Sequence, residues 1–390
     1  MNESTFTPGG GQPGTPAGGT GPAGIEAVGS VAVRTFAAHQ SQHPHLAPTA
    51  HQSMDAHHVN AMTGDASGAP HHFAEYDELP EGHFYDPDAE YEPDPEYAAT
   101  LAPDAARQRR ERVGPTGRPL PYFPIPGPLN DHGPAKIIAM CNQKGGVGKT
   151  TSTINLGAAL AEYGRRVLLV DFDPQGALSV GLGVNPMELD LTVYNLLMER
   201  GMAADEVLLK TAVPNMDLLP SNIDLSAAEV QLVSEVARES TLQRALKPLM
   251  SEYDYIVIDC QPSLGLLTVN ALTAAHKVIV PLECEFFALR GVALLTETIE
   301  KVQERLNPEL ELDGILATMY DSRTVHSREV LARVVEAFDD HVYHTVIGRT
   351  VRFPETTVAG EPITTYASNS VGAAAYRQLA REVLARCHAE

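Results

Sequence analysis

A lysine, a threonine and three aspartates, each at the end of an apolar run, supply the chemistry this chain can do. Lys149 and Thr150 close the stretch Cys141-Asn142-Gln143-Lys144-Gly145-Gly146-Val147-Gly148-Lys149-Thr150-Thr151. Its glycines let the backbone turn tightly enough for successive N–H groups to face phosphate oxygens, and a helix opening at Thr151 adds the partial positive charge of its N-terminus. The Lys149 ammonium suits the β- and γ-phosphates of a nucleoside triphosphate, and the Thr150 hydroxyl suits Mg²⁺. Lys144, Gly145, Gly146, Val147, Gly148, Lys149, Thr150 and Thr151 are therefore the expected nucleotide-binding residues. The pattern G-x-x-x-x-G-K-[ST] is not met in full, because Gln143 stands five places before Gly148, and a second lysine stands at 144.

The aspartates follow two further apolar runs, Val170-Asp171-Phe172-Asp173-Pro174-Gln175-Gly176 and Ile256-Val257-Ile258-Asp259-Cys260-Gln261-Pro262. A buried strand that delivers one carboxylate to its end is suited to holding Mg²⁺ or a water bound to it, which is the part expected of Asp259 beside Thr150. Phosphoryl transfer to water also needs an in-line nucleophile. Asp171 and Asp173 fall on the same side of a continuing strand; Asp173 is the expected water-orienting group and Asp171 a member of the Mg²⁺ shell. Either aspartate alone could be a cap or turn residue. Together with the glycine loop they form a catalytic set of Lys149 and Asp173, to which the resemblance given below adds Lys144.

These residues need strands to carry them. From Pro134 onward, apolar runs at 136–141, 166–171, 217–220, 255–259, 277–281, 314–319 and 344–347 read as strands. Helical patterns lie between them near 151–163, 224–250, 267–275, 288–306, 326–337 and 370–386. Strands alternating with helices predict an α/β fold of the P-loop NTPase-like kind, a mostly parallel sheet with helices on both faces and ligands outside the carboxyl ends of its strands.

Residues 1–133 do not share this pattern and read as a disordered Pro/Gly/His-rich acidic extension, with a linker over 107–133, leaving 134–390 as one ATPase-type domain. They hold 18 of the 29 prolines and 10 of the 15 histidines, with too little periodic apolar surface to offset the entropy of ordering. With 17 Asp/Glu against 6 Arg and no Lys their net charge is −11, half of the chain's −22. Both parts are acidic, so any contact with nucleic acid or anionic membrane must come from a local patch. His39 to His83 could chelate metal loosely, and Tyr76, Tyr85, Tyr91 and Tyr97 among carboxylates could serve a partner, but a solvated tail accounts for both. Four cysteines without C-x-x-C spacing exclude a disulfide scaffold and fit a reducing cytoplasm. No apolar run approaches the length of a membrane span, and no secretory leader is evident.

The three motifs closely resemble those of ParA/Soj-type partition ATPases, the deviant-Walker members of the MinD/ParA superfamily. The likeness runs on through Leu282 to Gly291, Thr318 to Thr324 and Val346 to Arg352, covering 135–387. The resemblance implies slow ATP hydrolysis with ATP and Mg²⁺ as cofactors, stimulated by a ParB-like centromere-binding protein. It also implies an ATP-sandwiched homodimer in which Lys144 reaches the nucleotide of the other subunit, non-specific DNA binding, and nucleoid association in the cytoplasm. Arg323 and Arg352 match the family's DNA-phosphate contacts; each could instead form a surface salt bridge, with Asp321 or Glu355. The chain departs from the family at Gln261, Gly348 and 353–357, which bears on the DNA-facing edge and on the choice of partner. Two other tasks remain open to such an ATPase: positioning a protein complex through the extension, or a MinD-like role at a membrane surface. The last helix, with Tyr376, Leu379, Val383 and Leu384 at helical spacing, is expected to pack in the core.

Overall fold

The computed structural model describes residues 113–285 and 288–388. The extension before 113, with its histidine and tyrosine runs, lies outside the described residues. Five strands, β1 (Lys136–Met140), β2 (Val167–Phe172), β3 (Leu209–Lys210), β4 (Met216–Leu219) and β5 (Tyr255–Cys260), are joined by β6 (Lys277–Glu283) and β7 (Glu311–Thr318) in one sheet. Its order is β3-β4-β2-β5-β1-β6-β7. All neighbours are parallel except β3 and β4.

The helices that matter for the site are α1 (Lys149–Glu162), α2 (Ala177–Gly181), α3 (Leu225–Gln231), α4 (Leu266–Ala274), α5 (Ala288–Arg305), α6 (Val325–Phe338), α7 (Arg352–Ala359) and α8 (Val371–His388). Alternate residues of each strand enter opposite cores. Ile137, Ala139, Leu168, Val170, Ile256 and Ile258 pack with α4, α5 and α6, while Ile138, Met140, Leu169 and Val257 pack with α1 and α8. Burial on both faces is why the strands read as unbroken apolar runs. Tyr376, Leu379, Val383 and Leu384 are buried in the second core, so the last helix packs as expected.

Three expectations are corrected. The run 344–347 lies beside β7 without becoming a strand. Tyr343 N–H donates to Ile315 O and Ile347 N–H to Ala317 O, but the intervening His344 and Thr345 N–H groups donate to the Glu382 carboxylate at 2.8 and 2.9 Å. A side chain of α8 has displaced the ladder there. The long helix expected over 224–250 is broken at Ala237, which has φ 52°. A fresh turn starts where Asn270 Oδ1 accepts the N–H groups of Thr241 and Leu242.

The third correction concerns 113–133, expected as linker, which is laid along the domain. Arg118 donates to Asp339 O at 2.9 Å and to Val342 O, Phe123 meets His344 edge to face, and Gly127 O accepts from Arg165 at 2.8 Å. At its end His132 Nδ1 lies 2.8 Å from Asp254 Oδ2, and Gly133 N–H donates to Asp254 Oδ1. The proline-rich composition hid this, because the partners are carbonyls and one aspartate far along the chain.

Asp254 also accepts Arg166 N–H at 2.7 Å. Burial opposes its charge, but the donors at Arg166, His132 and Gly133 outweigh burial and hold its pKa below the usual value. A depressed pKa means stability that is present above the unfolded value and lost as pH falls through the folded one. Asp254→Ala is therefore expected to lower stability at neutral pH by about 1–3 kcal/mol, read by thermal denaturation, with the deficit shrinking in acid.

Candidate active site

Four chain segments meet at the carboxyl end of the sheet. The first is the loop 141–148 between β1 and α1, where Gly146 and Gly148 take φ 75° and 86°. A side chain at either would be strained there. No atom lies within 4 Å of where a Cβ would stand on Gly146, so there is open space beside the loop at that point. From outside the loop is tied down: Asn142 Nδ2 donates to Pro281 O at 2.7 Å, Asn142 Oδ1 accepts Lys144 N–H at 2.9 Å, and Thr318 Oγ1 donates to Val147 O at 2.9 Å.

Lys149 is buried at 6% exposure, its Nζ 3.2 Å from Lys144 O, so the ammonium is folded over the loop. Thr150 turns its hydroxyl to Asp259 Oδ2 at 2.7 Å. One turn on, Thr153 Oγ1 lies 3.4 Å from Asp259 Oδ1. Thr150 and Asp259, each expected to face Mg²⁺, are here in direct contact with one another.

Asp259 and Asp171 are register partners on β5 and β2, and both are fully buried. Burial raises Asp259 to about 8, with the Asp171 charge adding to it and Thr150 and Lys149 opposing. Burial likewise raises Asp171 to about 7 against the pull of Ser179. Two buried carboxylates side by side, one already holding a threonine hydroxyl, are a donor set that suits a hard divalent cation such as Mg²⁺. The open glycine loop and Lys149 beside them suit a phosphate chain. The residues present therefore fit Mg²⁺ and a nucleoside triphosphate.

Asp171 is more occupied than its spacing suggested. Its Oδ2 accepts both the N–H and the hydroxyl of Ser179 at the start of α2, at 2.8 and 2.7 Å. Asp173 is half-buried, and its Oδ1 accepts Gln175 N–H at 3.0 Å. Ser179 and Thr153 were missed by sequence reasoning. Thr153 could have been found, since it stands one helical turn beyond Thr150 and shares its face; Ser179, eight residues from Asp171 across a turn, offered no periodic signal.

Lys144 does not share the position of Lys149. Its Nζ turns outward and meets Glu283 Oε2 at 3.0 Å and Glu285 Oε2 at 2.7 Å, with 41% of the side chain exposed. Arg323 lies on the loop after β7 and Arg352 opens α7, and the segments leading to them are tied together where Tyr320 N–H donates to Ile347 O and Arg349 N–H to Tyr320 O. Arg323 forks onto Asp321 with two contacts of 2.9 Å, and Arg352 meets Glu355 at 2.9 Å. Both arginines are thus in the salt bridges named as the alternative to DNA contact. Exposed pairs of this kind contribute little and exchange readily with other anions.

Among known proteins, residues 135–312 match the family model described as AAA domain. An uncharacterized protein of Mycobacterium tuberculosis is 68% identical over 274 residues, 70% of this chain and 86% of that one. The chromosome-partitioning ATPase Soj of Treponema pallidum is 49% identical over 64% of this chain and 98% of its own length. A solved structure, described as cobyrinic acid a,c-diamide synthase of Mycobacterium smegmatis with bound ADP and magnesium, superposes with a TM-score of 0.57 at 46% identity. It covers 64% of this chain and 94% of that one. The glycine loop, the paired aspartates and this likeness along nearly the whole of the Treponema protein agree: the chain belongs to the ParA/Soj family of partition ATPases, with ATP and Mg²⁺ as its cofactors.

Proposed function

We infer that two copies of this chain close on ATP, bind DNA without sequence preference, and release it on hydrolysis, so that a chromosome or other cargo is moved. The observation that carries the reading is the division of labour between the two lysines. Lys149 already supplies the loop with a buried ammonium, whereas Lys144 is fixed to the same loop by its backbone and directs its charge out of its own cradle. A second cation there is of use to the triphosphate of a neighbouring copy, where it neutralises charge across the interface.

Within one copy the N–H groups of 145–151 bind the phosphates, and Lys149 neutralises them. Thr150 and Asp259 would hold the metal, with Asp171, steadied by Ser179, as a member of its shell. Asp173, less buried than either, orients the attacking water. ATP with Mg²⁺ supplies the bond to be broken and the divalent charge that eases its breaking. Arg323, on the loop after β7, and Arg352, at the start of α7, exchange their carboxylate partners for DNA phosphates, and a ParB-like protein is the expected stimulator. A cytoplasmic, nucleoid-associated protein follows. A membrane-surface role of the MinD kind is disfavoured by the burial of the apolar face of α8, and no described helix is long and apolar enough to cross a membrane.

The test is electrophoretic retention of DNA of arbitrary sequence. Retention is expected with a non-hydrolysable ATP analogue and Mg²⁺, absent with ADP, and steeply weakened by salt because phosphate contacts dominate. Arg352→Glu should remove most of it. Equal retention by Arg352→Glu and wild type would instead favour a switch that positions a protein complex. Removing residues 1–112, short of the packed strap, then tests whether the extension selects that cargo.

A further inference from the structure

The contacts of Lys144 carry a consequence beyond its service to a second copy. Glu283 ends β6 with its side chain 14% exposed, and Glu285 follows two residues on at 54%. Partial burial opposes the Lys144 charge, but the hydrogen bonds it donates to Glu285 and Glu283 outweigh burial and raise its pKa, while Lys144 holds Glu285 below the usual carboxylate value. The Lys144 ammonium and the Glu285 carboxylate are therefore charged at neutral pH. The lysine main chain is pinned independently, its N–H on Asn142 Oδ1 and its carbonyl under Lys149 Nζ, so only side-chain torsions need change for the ammonium to swing. A cavity of about 360 Å³ beside it, lined by Asn142, Leu282, Glu283, Arg290 and Leu294, leaves room for that swing.

We propose that Glu283 and Glu285 are a cis latch on Lys144, competing with the triphosphate of the second copy for the same ammonium. The inference rests on the reading above that Lys144 serves the nucleotide of the other copy. In cis the ammonium faces two carboxylates; across the interface it faces MgATP, or MgADP with one negative charge fewer. The carboxylate pair thus sets a threshold that MgATP can meet and MgADP cannot, and pairing reports the γ-phosphate. When the latch opens Glu283 keeps a partner, since Arg349 Nη2 lies 3.5 Å from its Oε1. Glu285 returns to water at small cost. Glu283 and Glu285 are positioning residues, acting only through Lys144.

The experiment is sedimentation equilibrium of the full chain with a non-hydrolysable ATP analogue and Mg²⁺, and with ADP and Mg²⁺. Wild type, Glu283→Gln, Glu285→Gln, the double variant and Lys144→Gln are compared. A two-fold pair must open two latches, so a gain of about five-fold per latch enters twice. The double variant is expected to dimerise about 25-fold more tightly on the analogue and to begin pairing on ADP. Its monomeric ADP affinity, measured by calorimetry, should stay within about two-fold of wild type, a combination that a merely structural role for the glutamates would not produce. Glu285 is at the surface, so its variant carries the test even if Glu283→Gln lowers stability. Dimerisation of the glutamate variants at wild-type strength or weaker, with Lys144→Gln monomeric, overturns the latch alone. A Lys144→Gln protein that dimerises as wild type overturns the underlying reading, and the latch with it.

Discussion

Lys149→Ala is expected to lose nucleotide: the affinity for MgADP and MgATP should fall at least about 100-fold, near 3 kcal/mol, as when a buried partner of a charge is removed. The environment sets the size of the effect. Around the loop stand Asp171, Asp173 and Asp259, and Lys149 is the buried cation that offsets them for an incoming polyanion. Burial and the Asp171 charge already push Asp259 upward, and losing Lys149 removes one of the influences that restrain it. The variant lacks a donor and one positive charge, a loss that added protonation of Asp259 offsets only in part. Calorimetric titration with MgADP measures this, and an affinity within about three-fold of wild type would remove Lys149 from the phosphate site. The fold should survive, because the ammonium contacts a loop carbonyl and the core beneath is apolar.

Asp173→Ala should behave in the opposite way, binding nucleotide and pairing while hydrolysis falls by about 10²–10⁴-fold, the usual contribution of a positioned acid–base group. Asp173 suits this role because it is the least enclosed of the three aspartates. Asp259 is committed to Thr150 and Thr153, and Asp171 to Ser179, whereas Asp173 accepts a single local N–H from Gln175. Its removal leaves no buried donor orphaned, so stability should change little. Phosphate release under saturating ATP is the measurement, and on the DNA-binding reading the variant should remain on DNA with ATP for much longer than wild type. Hydrolysis at the wild-type rate would exclude Asp173 and leave the water to be oriented by another group.

The two lysines of the loop show where reading a sequence stops. Their positions, four glycine-rich residues apart, were legible, and so was the need for a strand before them and a helix after. The glutamates that receive Lys144 were not, because β6 reaches the loop only through pairing with β1, more than a hundred residues away in the chain. The same holds for Glu382, whose carboxylate turns an expected strand at 344–347 into an irregular edge. The arginines at 323 and 352 were legible as charges, with Asp321 and Glu355 as their alternative partners; that both occupy those salt bridges is a matter of rotamers and loop packing.

By itself the sequence determined what is local and periodic. Runs apolar at every position made parallel strands buried on both faces, glycines at 146 and 148 made a loop with the backbone angles of a phosphate cradle, and aspartates at strand ends were bound to gather at one edge of the sheet. Tertiary structure alone decided which polar groups meet: Thr150 with Asp259, Asp171 with Ser179, Lys144 with Glu283 and Glu285, and the 113–133 strap with Asp254. The physical reason is range. Backbone preference and burial periodicity act over a few residues, whereas an ion pair or hydrogen bond depends on a few ångströms in space, which strand order and register set and composition does not.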